Sequence, residues 1–289
     1  MEPIRYAPAS FPARSPARAR ERAIARFLDV ISRDALLRAR LRGREPTVHR
    51  VLVDASGRVD AAELHRIVEQ AADLPDEPQV LDAGCGLGDM MIDIAVRRGG
   101  SWTGLTFSPI QAERARAAAQ ARGLIGAVAV HLRAPDDPPG QQYDAVFAVE
   151  CLLRCPNAEA VLTALGRTLR PGGRLVLVEH AVAASAAAER RELTRLLRAP
   201  ALADEAGWRA RLAASGLAVR RVVDLTGQVP ARSVGAIERL AVRLMTGRRY
   251  LPLGDFRRVV DARIGALKLE RLLREGRARY LMMVAVRSD

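Results

Sequence analysis

The hydrophobic positions change their spacing along the chain. From Pro16, Ile24, Phe27, Leu28, Ile31 and Ala35 recur three and four residues apart, the stripe of a helix with one buried face. Arg22, Arg26, Arg33 and Arg40 lie largely off that stripe, and the residues before Pro16 read as irregular. A second helix fits 60–72 and ends at Asp73-Leu-Pro-Asp-Glu-Pro78, after which short apolar runs alternate with helical stretches. The pattern predicts strands at Gln79–Asp82, Trp102–Phe107, Ala127–Leu132, Asp144–Val149 and Arg174–Glu179. Helices are predicted at 89–98, 109–122 and 157–169. It continues with a helix at 204–215, a strand at 217–225 and a last strand at 279–287; between these two strands, 233–275 reads as an Arg-rich helical insertion. Nearly all-apolar strands alternating with helices imply a doubly wound, mostly parallel α/β sheet covered on both faces. The expected organisation is a helical N-terminal cap over residues 1–73 and an α/β domain over 74–289.

Composition narrows the partners. Apolar residues make up 49% of the 289-residue chain, enough to bury a core, and no apolar run approaches the roughly 20 residues of a membrane-spanning helix. The Lys and Arg residues exceed the acids by 13, yet the excess sits at the ends: residues 1–43 carry net +6, 230–289 net +8 and 44–229 net −1. Such flanks suit an anionic substrate or an anionic membrane surface, and Arg and Ala in this excess also fit a GC-rich coding bias. The Arg-rich amphipathic N-terminus reads as a cap helix, with a transit peptide or an interfacial helix as alternatives. Three cysteines and no recognisable secretory signal lead us to expect a cytoplasmic protein. His49, His65, His131 and His180 are scattered, and Cys151 and Cys155 lack a third ligand nearby, so no metal is expected.

The chemistry-bearing segment is Val80-Leu-Asp-Ala-Gly-Cys-Gly-Leu-Gly-Asp89, a strand entering a glycine turn and then a helix. Gly84, Gly86 and Gly88 alone also fit a dinucleotide loop. Asp82, immediately before the turn, suits a cationic amino group better than a pyrophosphate, which it would repel. Where a dinucleotide site wants a ribose-binding acid, this chain has Thr106.

Val80–Asp89 resembles motif I of the class I S-adenosylmethionine-dependent methyltransferases. Gly104-Leu-Thr-Phe-Ser-Pro-Ile-Gln111 resembles the second-strand motif of the branch containing cyclopropane fatty acid synthases and related small-molecule C-methyltransferases. Leu169-Arg-Pro-Gly-Gly-Arg-Leu-Val-Leu-Val178 resembles the fifth-strand motif of the class. The resemblance implies a seven-stranded sheet with S-adenosylmethionine across the carboxyl ends of its first strands, S-adenosylhomocysteine being the product. It implies that Asp82 and the backbone of Gly84, Cys85 and Gly86 hold the methionine end. Thr106, Phe107 and Gln111 would stand near the ribose, Asp136 and Asp137 near the adenine, and Val149 at the fourth strand's end. Gln111 also reads as part of a capping box with Ser108 and Pro109, and Asp137 as part of a solvated Pro-rich loop. Glu150 and His180 match positions that help hold bicarbonate in cyclopropane synthases, and the Glu serves as base in some prenyl-diphosphate C-methyltransferases. The plainer alternative pairs Glu150 with Arg154 and has His180 cap the strand edge.

The sequence departs from that branch in three places. Its active-site Tyr appears here as Val229, its N-terminal aromatic segment is absent around Thr47–Asp54, and a His pair of related enzymes reads Leu153-Arg154. Cyclopropanation is therefore not expected. The expectation is methyl transfer to a small-molecule or lipid-like acceptor at carbon, catalysed by Glu150 and His180. The partners expected are an acceptor that can be anionic, a peripheral membrane contact and a second copy of the chain, with no nucleic acid. The alternatives are an RNA methyltransferase using the basic flanks and a cofactor-binding protein without catalysis. With 4% aromatic residues, no stacking run for RNA is visible.

Overall fold

The computed structural model describes residues 16–43, 45–230 and 254–287. The first half of the expected insertion, residues 233–253, lies outside them. Seven strands form one sheet: β3 (Gln79–Asp82), β4 (Ser101–Thr106), β5 (Val128–Leu132), β6 (Tyr143–Val149), β7 (Leu169–Val182), β8 (Leu217–Asp224) and β9 (Ala278–Arg287). Their order is β5-β4-β3-β6-β7-β9-β8, and only β9 runs against the others. A two-stranded ribbon, β1 (Leu52–Val53) with β2 (Val59–Asp60), precedes them. This is a Rossmann-like doubly wound sheet. From β3 the chain steps outward through β4 to β5 and then returns to the opposite side of β3 as β6. The crevice where the order reverses, at the carboxyl ends of β3 and β6, is where such sheets bind ligands.

The helices follow the expected alternation: α2 (Ala62–Ala72), α3 (Asp89–Arg98), α4 (Pro109–Ala121), α5 (Ala158–Arg167) and α7 (Glu205–Ala214). The Ser108 side chain accepts from the Gln111 backbone N–H with Pro109 at the first turn. The Ser108 N–H donates to Thr106 and the Gln111 side chain turns to Thr106 and Ser32, so only the N-cap half of the expected capping box forms. One helix escapes the apolar pattern, α6 (Ala187–Leu196). Its Arg- and Glu-rich face is exposed, and of its residues only Leu193 and Leu196 are buried. β7 also runs further than its apolar stretch and takes in Glu179 and His180, pairing with Leu281 and Tyr280 of β9. His180 thus lies inside a strand and does not cap its edge.

Leu64 and Val68 of α2 are fully buried and join the main core beneath the sheet. His65 Nδ1 meets Asp93 Oδ2 of α3 at 2.8 Å, so this histidine ties two helices together. The first helix, α1 (Pro16–Arg42), behaves differently. Its buried stripe, Ile24, Phe27 and Val30, does not join that core. The helix packs instead on α4 and on α8 (Gly254–Arg274). α1 and α8 run parallel, with Arg26 reaching Asp255 at 3.4 Å and Asp34 reaching Arg263 at 2.8 Å. Such part-exposed pairs set register more than they add stability.

Removing the Phe27 side chain, which is 1% exposed, should loosen α1 without loosening the sheet. Phe27→Ala is expected to cost about 3–5 kcal/mol locally. Amide exchange should quicken across 16–42 and stay unchanged in β3, β6 and β7. Equal loss of protection in the sheet would make α1 part of the main core.

Candidate active site

A cleft opens at the switch point. Its apolar wall includes Leu28 and Ile31 of α1, Val48, Phe107, Pro135 and Val149; its polar wall includes His49, Thr106, Gln111, Glu150 and Arg154. The glycine turn is forced by proximity. A Cβ on Gly84 would stand 2.3 Å from Cβ of Cys151, in the turn after β6. One on Gly86, whose φ is +55°, would stand 2.5 Å from the Val48 side chain. Cys85 faces away from the cleft and packs where a Cβ on Gly104 would meet its sulfur at 2.9 Å.

Asp82 closes β3 directly behind this turn and is fully buried. Its Oδ1 accepts from the Gly84 N–H at 3.2 Å, and its Oδ2 has no donor. Desolvation raises its pKa to about 6, although the neighbouring His49 and the Gly84 amide pull the other way. A buried carboxylate oxygen without a donor, beside a cleft, is the complement of an ammonium group.

Glu150 follows β6 and holds the opposite wall. Its φ of +51° is rare for a residue with a side chain. Its Oε1 accepts from the Arg50 backbone N–H at 2.9 Å and from the Tyr280 hydroxyl at 2.8 Å, while Oε2 has no hydrogen-bond partner among the described residues. Burial alone would raise its pKa, but the Arg50 guanidinium, the hydrogen bond from the Arg50 amide and the nearby His49 pull it down, below the usual carboxylate range. Glu150 is therefore a carboxylate near neutral pH. Arg154 does not pair with it: the guanidinium donates to the Glu150 backbone carbonyl at 2.8 Å. Arg154 has no carboxylate partner among the described residues, and its Nε is buried without an acceptor.

His180 stands behind this wall and does not line the cleft. Its Nε2 accepts from Arg50 Nε at 2.6 Å, and its ring packs on Tyr280 with centroids 4.8 Å apart. Burial, reinforced by the Arg50 charge, lowers its pKa to about 3, so the ring is neutral and its lone pair is engaged. Arg50 also approaches Glu270 of α8 at 3.9 Å.

The remaining sequence-derived residues divide into two groups. Thr106, Phe107, Gln111 and Val149 line the cleft. The Thr106 hydroxyl donates to Gln111 Oε1 at 2.7 Å, and Gln111 Nε2 donates to Ser32 of α1 at 3.0 Å. Asp136 and Asp137 are exposed; Asp137 pairs with Arg133 at 3.0 Å and is not in the cleft wall. Sequence reasoning missed His49, Arg50 and Tyr280. They come from a segment without motif and from the last strand, and only the contact of Glu150 with both reveals them.

Comparison with known proteins places the motifs. Residues 80–173 match the model of a family described as a methyltransferase domain. A curated relative, a probable tocopherol O-methyltransferase of Oryza sativa subsp. japonica, is 32% identical over 39% of this chain and 34% of its own length. The chain thus aligns with about a third of that relative. Among solved structures, the [4+2]-cyclase SpnF matches with a TM-score of 0.73 at 20% identity, over 92% of this chain and 95% of that one. The geranyl diphosphate C-methyltransferase of Streptomyces coelicolor A3(2), crystallised with Mg2+, geranyl diphosphate and S-adenosyl-L-homocysteine, matches with a TM-score of 0.67 at 18% identity. That match covers 95% of this chain and 100% of the other. At such identities the likeness is one of fold.

Beneath the cleft, Glu179 is fully buried, with Oε1 accepting from the Leu153 N–H at 3.0 Å and Oε2 without a partner. Burial raises its pKa from 4.5 to about 8, so it is protonated at neutral pH. The folded state then holds a proton that the unfolded chain releases, and wild-type stability should fall as pH rises from about 4.5 to about 8. Glu179→Gln should remove that slope and unfold at higher urea than wild type at pH 8. Parallel urea profiles of the two proteins at pH 5 and pH 8 would refute it.

Proposed function

We propose, from the match of residues 80–173 to a methyltransferase-domain model, that the protein transfers a methyl group from S-adenosylmethionine to carbon of an apolar, lipid-like acceptor with an anionic end. The observation that carries this reading is the Glu150 carboxylate, lining the cleft, held by two donors on Oε1 and with no partner for Oε2 among the described residues. The fold alone does not specify methyl transfer, since a [4+2]-cyclase has it as well.

When bound, S-adenosylmethionine supplies an electrophilic methyl group on a sulfonium. The residues fit it: Asp82 Oδ2 would take its ammonium, the backbone at Gly84, Cys85 and Gly86 its amino-acid end, and Thr106 and Gln111 its ribose. Phe107, Val149 and the Pro135–Asp137 loop would border the base. Leu28, Ile31 and Val48 offer the acceptor an apolar surface that excludes water, and Arg154 offers its anionic end a guanidinium without a carboxylate partner.

A heteroatom acceptor needs alignment and little else. An alkene carbon that gains a methyl group becomes a cation, and it must then lose a proton. Glu150 stabilises that positive charge from the cleft wall and takes the proton on Oε2. Tyr280 and Arg50 hold the carboxylate in place, and Tyr280 supplies a hydroxyl that the departure at Val229 removes. His180 is a positioning residue: it accepts from Arg50 and keeps that side chain behind Glu150. The α1 and α8 layers close the acceptor side as the cap, whereas α2, within the 1–73 segment expected to be cap, belongs to the main core. Cys85, Cys151 and Cys155 as free thiols suit the reducing cytoplasm. Among the described residues no helix is long and apolar enough to cross a membrane.

Two measurements test this reading. S-adenosylhomocysteine affinity, followed by calorimetry, should be level above pH 7. Below the Asp82 pKa of about 6 it should weaken roughly tenfold per pH unit, because protonation removes the charge that meets the ammonium. Asp82→Asn should bind weakly with no such acid limb; a limb unchanged in that variant would dismiss Asp82 as the ammonium partner.

Isoprenoid, fatty-acyl and polyketide acceptors incubated with S-adenosylmethionine should reveal one that gains the mass of a methylene group. On that acceptor, Glu150→Gln should lower kcat by roughly 10²–10⁴-fold and leave cofactor affinity unchanged. A wild-type rate in the variant would end the carbon-methylation mechanism, and a product isomerised without mass gain would end the methyl-transfer reading.

A further inference from the structure

His49 is the one histidine among the described residues whose two ring nitrogens are both buried and both without a hydrogen-bond partner. The residue is 8% exposed and lines the cleft. Its Nε2 stands 3.8 Å from the position a Cβ would take on Gly86, in the turn expected to hold the amino-acid end of the cofactor. It lies close enough to both Asp82 and Glu150 to influence each carboxylate. It has no hydrogen bond to either, and its backbone N–H is turned back on Thr47 Oγ1 at 3.3 Å.

An imidazole carries at least one N–H, so the buried ring holds a donor with nothing to donate to. Leaving that donor unpaired is unfavourable, a cost a bound acceptor group would offset. The amino-acid end of the proposed cofactor carries two opposite charges on one carbon. Asp82 Oδ2 accounts for the ammonium only. In the glycine turn the Gly84 N–H is spent on Asp82 and the Cys85 N–H on the Leu105 carbonyl, so the carboxylate needs a further donor, and His49 is a donor beside the same turn.

Resting on the cofactor reading above, we propose that His49 donates a hydrogen bond to the carboxylate of the cofactor's amino-acid end. Asp82 and His49 then grip that end as a pair, each matched to one of its charges. The next residue, Arg50, holds Glu150 through its backbone N–H. The same short segment therefore meets the cofactor with one residue and the catalytic carboxylate with the next. Seating the cofactor against His49 sets the segment that holds Glu150.

The test compares three ligands by calorimetry on the full chain: S-adenosylhomocysteine, its decarboxylated counterpart, and 5′-methylthioadenosine, which lacks the whole amino-acid end. His49→Ala should weaken S-adenosylhomocysteine by roughly ten- to a hundred-fold, the worth of a hydrogen bond to a charged group. The other two ligands should bind the variant as they bind wild type. His49→Gln, which keeps a side-chain N–H, should recover part of the loss, and thermal melts of both variants report whether the fold is intact. Equal weakening of all three ligands, or of none, by a folded His49→Ala would overturn the assignment while leaving the cofactor reading in place. If wild type binds none of the three, the cofactor reading fails and the assignment falls with it.

Discussion

No side chain can stand at residue 84. The turn after β3 and the turn after β6 approach so closely that a Cβ there would lie 2.3 Å from that of Cys151. This contact sets the spacing of the two chain reversals at the switch point, and so the separation of the groups they carry. Asp82 ends one strand behind its turn, and Glu150 begins the other turn. The site is a consequence of two backbones forced together, with a carboxylate left on each side.

The two carboxylates are treated differently by their surroundings. Asp82 has one backbone N–H and a free oxygen, and burial pushes its pKa up to about 6. Glu150, only half-buried, accepts from the Arg50 amide and the Tyr280 hydroxyl, and the Arg50 amide and charge pull it below its ordinary range. One is an incomplete site waiting for a cation; the other is an ionised group with one oxygen to spare. That division of environments, more than the fold shared with other proteins, separates a binding role from a chemical one.

The segment from Val48 to Arg50 joins these halves. Val48 leans over Gly86, His49 lines the cleft, and Arg50 reaches Glu150, His180 and Glu270. Arg50 is also where the N-terminal part of the chain meets α8, across more than 200 residues of sequence. Arg50 reaches His180 at its Nε2, which makes that ring an acceptor. A histidine in that state supports the carboxylate's holder, and the proton it keeps is on Nδ1, buried away from the cleft lining.

The sheet was legible in the sequence because its strands are continuous apolar runs and its turns need glycine at set positions; Gln79–Asp82 and the helix at 89–98 appear with the bounds their pattern implies. Asp82, the glycine turn, Thr106 and Gln111 were legible for the same reason, as they lie within a local motif whose geometry is made by neighbours in sequence. The surroundings of Glu150 were not. Arg154 sits four residues away, the natural local partner, yet it takes the backbone carbonyl. The carboxylate is held by Arg50 and Tyr280, 100 and 130 residues distant. His180 looked like a second base at a strand end and is instead buried within the strand, its lone pair occupied. Periodicity and motif report forces acting between near neighbours. The ionisation and partners of a buried group depend on which distant atoms share its enclosure, and only the packed chain decides that.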